Sequence, residues 1–136
     1  MHTTPIQVRF NDADALGHIN NAVYLTYFDM GKTDYFSMLH RRCYYTEPID
    51  IIVAHVDIDF KAQGMLGEPL EVRTEITHIG NKSMNIHQQV VNHESGEIKC
   101  EGNTIMVGYD FTNHCSARIS DNWRNAITNN DNNKQR

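Results

Sequence analysis

The residues best placed to do chemistry lie in one short stretch, Arg9-Phe-Asn-Asp12-Ala-Asp14-Ala-Leu-Gly17-His18-Ile-Asn20-Asn21-Ala-Val-Tyr24. Asp12, Asp14 and Gly17 are turn formers. Asn20 and Asn21 are good N-cap types, and an apolar run follows them at once. The order predicts a carboxylate held beside a helix N-terminus, where free backbone N–H groups point outward. Attack on a carbonyl with stabilisation of the oxyanion needs that pairing.

The elements that must position this segment can be read from periodicity. Ile6, Val8 and Phe10 alternate with Gln7 and Arg9, predicting a strand with one buried face. From about Asn21 to His40 the chain reads as a single helix. Its apolar residues cover more than a narrow stripe, which predicts burial on several sides. Gly31 costs propensity in mid-helix and is expected where another backbone comes close. After a loop from Arg41 to Asp50 the pattern switches to alternation. Ile52 to Phe60, Leu70 to Thr77, Met84 to Val90 and Glu97 to about Phe111 read as four strands, with a bulge or bend expected at Gly102 and Gly108. Helix and strands are segregated along the chain, so the class is α+β with an antiparallel sheet. A short helix is expected over Ser120–Ile127, with Trp123 packing back. One domain over 1–128 and a polar, disordered tail over 129–136 complete the expectation.

Composition narrows the function. The chain has 136 residues, 40% hydrophobic and 21% charged, which suits one globular domain. A net charge of -5 argues against general nucleic-acid binding. It leaves room for a small phosphorylated ligand held by local cations, the candidates being Arg41, Arg42, Lys61, Arg73 and Lys82. No apolar run is long enough to span a bilayer, and no signal-peptide pattern opens the chain, so a cytoplasmic protein is expected. Cys43, Cys100 and Cys115 form no CxxC pair and read as reduced, structural thiols. The eight histidines fall into no metal-ligand spacing, so no metal is expected.

The pattern D-x-D-x-x-G-H-x-N-N-x-x-Y over Asp12–Tyr24 resembles that of hotdog-fold acyl-CoA thioesterases of the 4-hydroxybenzoyl-CoA thioesterase type. Val56-Asp-Ile-Asp-Phe60, Gly67-Glu68, Ile79-Gly-Asn-Lys-Ser83, Glu101-Gly102 and Val107-Gly-Tyr-Asp110 support the resemblance in the right order. It implies the hotdog fold, a sheet wrapped around one long central helix. It also implies hydrolysis of an acyl-CoA thioester to a carboxylic acid and CoA, with no cofactor beyond the CoA of the substrate. The second aspartate of the pattern, Asp14, is then nucleophile or general base, and Asp12 fixes the turn. His18, Asn21, Tyr24, Lys82 and Ser83 are the implied substrate-binding residues, with Asn20 as helix cap. Asp29 and Asp34 are weaker candidates for the carboxylate, since relatives near this pattern often carry glutamate at the first position. Lys61-Ala-Gln63-Gly64-Met65 departs from the family's proline-Ala-Arg turn, which removes one phosphate-binding arginine. The resemblance implies a homodimer or homotetramer whose sheets join edge to edge, so that Lys82 can serve the neighbouring site. Rival readings are a hotdog acyl-CoA dehydratase or hydratase, which would add water to an enoyl thioester without releasing thiol, and a non-catalytic acyl-CoA binding module. Tyr24, Tyr27, Phe28, Tyr44 and Tyr45 are candidates to line an aryl pocket or the core.

Overall fold

A computed structural model describes residues 1–39 and 47–134 of the chain. Arg41, Arg42, Cys43, Tyr44 and Tyr45, singled out above, lie outside the described residues. The element order is β1 (His2–Ile6), a short 3-10 turn (Phe10–Asp12), α1 (Asn21–Met38), β2 (Ile49–Phe60), β3 (Leu70–Ile79), β4 (Ser83–Asn92), β5 (Ile98–Asp110), β6 (Cys115–Ser116) and α2 (Asp121–Lys134). The strands form one antiparallel sheet in the order β1-β3-β4-β5-β2, with β6 paired to β5.

Helix α1 lies on the sheet through Tyr24, Tyr27, Phe28, Gly31, Tyr35 and Phe36. Leu25, Met30 and Met38 remain exposed. A single chain therefore buries one face of α1 and leaves part of its apolar surface uncovered. The core falls into two clusters. Tyr27, Phe28, Leu70, Val72 and Val90 pack near the start of α1, while Phe36, Met84, Ile86, Trp123 and Ile127 pack toward its end. Between them the helix comes closest to the sheet. A Cβ on Gly31 would sit 2.6 Å from Val72 Cγ1 and 2.9 Å from Thr74 Oγ1. Here buried Gln88 donates through Nε2 to the Phe28 carbonyl (2.9 Å) and to Thr74 Oγ1 (3.0 Å), tying the helix backbone to the sheet.

Several expectations are corrected. Strand β1 lies at His2–Ile6 and ends where β3 begins, at the Ile6–Leu70 pair, so Val8 and Phe10 have no ladder partner. Phe10 turns outward and is 82% exposed. The alternation expected for β2 is broken by a bulge between Val53 and His55. As an edge strand β2 has little cover, and Val53, Val56 and Phe60 are exposed. Gly102 and Gly108 are not at register shifts. They allow close approach, since a Cβ would meet Asp57 O at 2.1 Å and Ala117 O at 2.2 Å. Helix α2 runs over Asp121–Lys134, beyond the Ser120–Ile127 span expected for it. Its first turn is held by Trp123 N–H on Ser120 Oγ (3.4 Å) and by the burial of Trp123 and Ile127. Hydrogen bonding then propagates from that anchored start through residues of poor intrinsic propensity.

Gly31→Ala separates two effects of opposite sign. Alanine improves helix propensity by about 1 kcal/mol, whereas overpacking against a sheet costs about 1–3 kcal/mol. The expected outcome is a lowered urea midpoint with unchanged slope. A raised midpoint would mean that α1 and the sheet do not approach as closely as described.

Candidate active site

The Asp14 turn is built from backbone hydrogen bonds. Asp14 N–H donates to the His18 carbonyl (2.8 Å) and Gly17 N–H to the Asp14 carbonyl (3.0 Å). Gly17 has φ 79°, a left-handed conformation that favours glycine. The Asp14 carboxylate is fixed within the same turn. Its Oδ1 accepts from Leu16 N–H (2.9 Å) and His18 N–H (3.1 Å). Oδ2 has no partner among the described residues.

Asp12 holds the turn from below. It is 6% exposed. Its Oδ2 accepts from Arg9 N–H (2.9 Å) and from the Tyr27 hydroxyl (2.9 Å), and its carbonyl accepts from Asn20 N–H (2.9 Å). Burial, reinforced by the hydrogen bond to Asp12, pushes the Tyr27 hydroxyl well above the ordinary phenol range. Tyr27 thus stays a donor, and Asp12 is consumed by structure. Asn20 caps α1, its Oδ1 accepting from Ala22 N–H (3.1 Å). Val23 N–H bonds to the Asn20 carbonyl, which leaves Asn21 N–H as the first-turn amide without a partner among the described residues.

A second segment grips the turn. Ile19 N–H donates to the Gly64 carbonyl (2.8 Å) and Leu66 N–H to the Gly17 carbonyl (2.9 Å), while His18 and Met65 form an isolated bridge. Gly64 N–H in turn donates to the Tyr24 hydroxyl (3.0 Å). Burial raises the Tyr24 pKa despite that contact. Tyr24 is therefore mainly support for the wall, 2% exposed with only part of its surface on the cavity.

The gripping segment is anchored by a buried lysine. Lys99 Nζ meets Glu68 Oε2 at 2.8 Å, pairs with Glu97 and donates to the Gln63 carbonyl (3.1 Å). Its backbone carbonyl accepts from Lys61 and Ala62 N–H. Glu68 also accepts from Met65 N–H and from Asn92 Nδ2. Burial opposes both charges. The Lys99 ammonium and the Asn92 amide nevertheless hold the Glu68 carboxyl below its usual range, and the two carboxylates hold Lys99 above its own. Sequence reasoning noted Glu68 only as part of a motif and missed Lys99, whose signal was a lysine inside an otherwise buried strand.

The structure brings Asp14, His18, Asn21 and Tyr24 to one cavity of about 500 Å³, together with Asn20, Phe60, Lys61 and Gln63. Lys61 there is paired with Glu101 at 3.1 Å. Lys82 and Ser83 do not join it within one chain. Ser83 pairs with Val107, whereas Phe60 at the cavity pairs with Cys100. At ~3.3 Å per residue Cys100 and Val107 lie on the order of 20 Å apart along β5. Asp29 pairs with Lys32 at 3.0 Å. Asp34 accepts from His2 and Thr4, which lower its pKa and tie β1 to α1. Neither lines the cavity. Arg73 is bonded to Glu71. Cys100 is buried and free, its thiol pushed up to about 12 by burial, and Cys115 is exposed and free. No group of metal ligands occurs among the described residues. Nor is any described helix long and apolar enough to cross a membrane.

A family model described as the thioesterase-like superfamily matches residues 8–127. The chain belongs to the thioesterase-like superfamily. By class it is a thioester hydrolase. This thioesterase-like chain is 28% identical over 101 residues to the acyl-CoA thioester hydrolase YbgC of Escherichia coli, covering 70% of the chain and 75% of YbgC. It superposes on Slr0204, a 1,4-dihydroxy-2-naphthoyl-CoA thioesterase from Synechocystis, with TM-score 0.85 and 21% identity, over 93% of the chain and 94% of Slr0204. A Thermus thermophilus thioesterase solved with coenzyme A and Zn gives TM-score 0.76 at 25% identity, over 92% and 90% of the two chains. The antiparallel sheet packed on α1 is the hotdog fold of these thioesterases.

The Glu68–Lys99 pair predicts a pH dependence. The folded Glu68 pKa lies below its unfolded value, so the pair's stabilisation is present above the ordinary glutamate range and is lost as pH falls through the folded value. For Lys99 the folded value is raised, so its part is present below the ordinary lysine range and is lost as pH rises through the folded value. Glu68→Gln is expected to cost about 1–3 kcal/mol at neutral pH and to flatten the acid-side decline. Denaturant unfolding across acid pH in both proteins checks this.

Proposed function

We propose that this chain hydrolyses acyl-CoA thioesters, with Asp14 as nucleophile or general base. The observation that carries the reading is the Asp14 carboxylate, fixed through Oδ1 by two backbone N–H groups in a residue that lines the cavity beside the start of α1. Family membership and the named activity of YbgC support the substrate class.

In the nucleophilic route Oδ2 bonds to the thioester carbonyl carbon. The C–S bond breaks, the CoA thiolate leaves and takes up a proton, and water then cleaves the resulting anhydride. In the general-base route Oδ2 removes a proton from the water that attacks the same carbon. Both routes place negative charge on the carbonyl oxygen, and Asn21 N–H at the helix start, without a partner among the described residues, is the donor assigned to it. His18 and Lys61 edge the same cavity.

Asp14→Asn retains the acceptor for Leu16 and His18 N–H and removes the charge. The expected outcome is a fall in kcat of about a hundredfold or more, with acyl-CoA binding and the thermal midpoint preserved. Free-thiol release and calorimetric titration measure the two. Full turnover in the variant would sink the role of Asp14, and hydration of an enoyl-CoA without thiol release would favour the hydratase reading.

The exposed edge strand β2 supports assembly. An uncovered edge with Val53, Val56 and Phe60 on it is an aggregation hazard unless paired. Antiparallel pairing of β2 with a second β2 sets the Phe60 end of one subunit beside the Ile49 end of the other. That carries the partner's Gly80–Ser83 turn, and Lys82 with it, toward the site and its CoA phosphates. Lys82→Ala and Asp14→Asn chains, each impaired alone, are then expected to regain up to half of wild-type activity per mixed dimer when co-expressed. No recovery in a verified mixed dimer would place Lys82 outside the neighbouring site.

A further inference from the structure

We propose that Arg124, on helix α2, is a positioning residue for phosphate recognition. It fixes the turn that carries Lys82 and occupies that turn's carbonyls, so that the ammonium is left for an anionic ligand. The inference rests on the placing of Lys82 in the neighbouring subunit's site.

The turn between β3 and β4 has four backbone carbonyls, from Gly80 to Ser83, and each has a donor. Arg124 Nη2 donates to the carbonyls of Gly80 (2.8 Å) and Asn81 (2.8 Å), and its Nε to that of Ile119 (3.0 Å). The Asn81 carbonyl also accepts from Ile119 N–H (3.0 Å). The Lys82 carbonyl accepts from Gly108 N–H (2.9 Å), and the Ser83 carbonyl from Gly80 N–H (2.7 Å). Arg124 is itself anchored. Its N–H donates to the Ser120 carbonyl (3.1 Å), and its neighbour Trp123 is buried and donates through Nε1 to Asp50 Oδ1 (3.0 Å). One guanidinium therefore ties the turn to the chain entering α2. A planar fork can reach several carbonyls at once, which a single ammonium does less well.

The charges single out the same turn. Arg9, Lys32, Lys61, Arg73, Lys99 and Arg118 each meet a carboxylate. Among the described residues Lys82 and Arg124 meet none, and these two share the Gly80–Ser83 turn. In a chain of net charge -5 that is a local excess of positive charge. A carbonyl left without a donor beside Lys82 would draw the ammonium to itself and repel a phosphate. With every carbonyl of the turn engaged, the exposed Lys82 has no competing acceptor there. Arg124 thus acts through Lys82 and has no need to touch the ligand.

The test compares two thioesters of one acyl group, carried on CoA or on N-acetylcysteamine, which lacks the phosphates. The acyl group is whichever of a straight-chain, branched and aromatic set wild type cleaves fastest as its CoA thioester. Thiol release is measured for wild type, Arg124→Gln, Arg124→Lys, Lys82→Ala and Arg124→Gln/Lys82→Ala, each checked by circular dichroism. In Arg124→Gln the ratio of kcat/KM for CoA over N-acetylcysteamine is expected to fall about tenfold, through KM. Arg124→Lys, which keeps the charge without the fork, is expected to fall part-way, and it carries the test should Arg124→Gln not fold. The double variant is expected to fall no further than Lys82→Ala. An unchanged ratio in a folded Arg124 variant while Lys82→Ala lowers it overturns the inference alone. So does an equal loss with both thioesters, which would make Arg124 a support for α2, and so do losses that multiply in the double variant. An unchanged ratio in Lys82→Ala overturns the placing of Lys82 and the inference with it. Absence of thiol release from every acyl-CoA in wild type overturns the thioesterase reading as well.

Discussion

The site depends on a grip between two segments far apart in sequence. The turn from Asp14 to Ile19 has no lasting shape of its own in water, because its few local hydrogen bonds compete with solvent. It is held by Gly64 and Leu66, and those residues are held by Lys99 and Glu68. A buried ammonium and carboxylate cost desolvation and survive only when their remaining hydrogen-bonding capacity is used. Here Gln63, Met65, Asn92 and Glu97 use it. Strand β5 thereby supports the Asp14 turn through the segment that grips it.

The second fixed quantity is the depth at which α1 lies. Gly31 and the Gln88 bond to the Phe28 carbonyl set the helix against β3 and β4. Asp12 then joins the helix to the turn through Tyr27 and Asn20. The N-terminus of α1 consequently stands in a defined relation to Asp14. A donor aimed at a developing oxyanion is useful only if it need not reorganise during the reaction.

What was legible in the sequence was what neighbouring residues decide among themselves. The Asp14 turn, the Asn20 cap, the need for glycine at 31 and the inward faces of β3 and β4 all follow from local chemistry or from a period of two. The end of β1 was not legible, because it is set by where β3 starts across the sheet. Nor was the bulge after Val53, which depends on how β2 meets β5. Phe10 continued an alternation on paper and left it in space for that reason. The resemblance supplied Lys82 as a ligand contact, but only the topology reveals that one chain keeps it at the other end of β5. Lys99 escaped notice because a lysine in a strand reads as surface until its partners are seen.

The way Asp14 is aimed has a consequence for descent. Both donors to its Oδ1 come from the backbone of its own turn, so among the described residues no outside side chain orients the carboxylate. Cavity residues that take no part in the grip on the turn can therefore change without turning the carboxylate. A few substitutions at the rim can thus reshape the neighbouring cavity while the turn keeps its form. The aim of the carboxylate and the shape of the cavity become separately heritable, which fits neighbours that keep the fold at 21% and 25% identity.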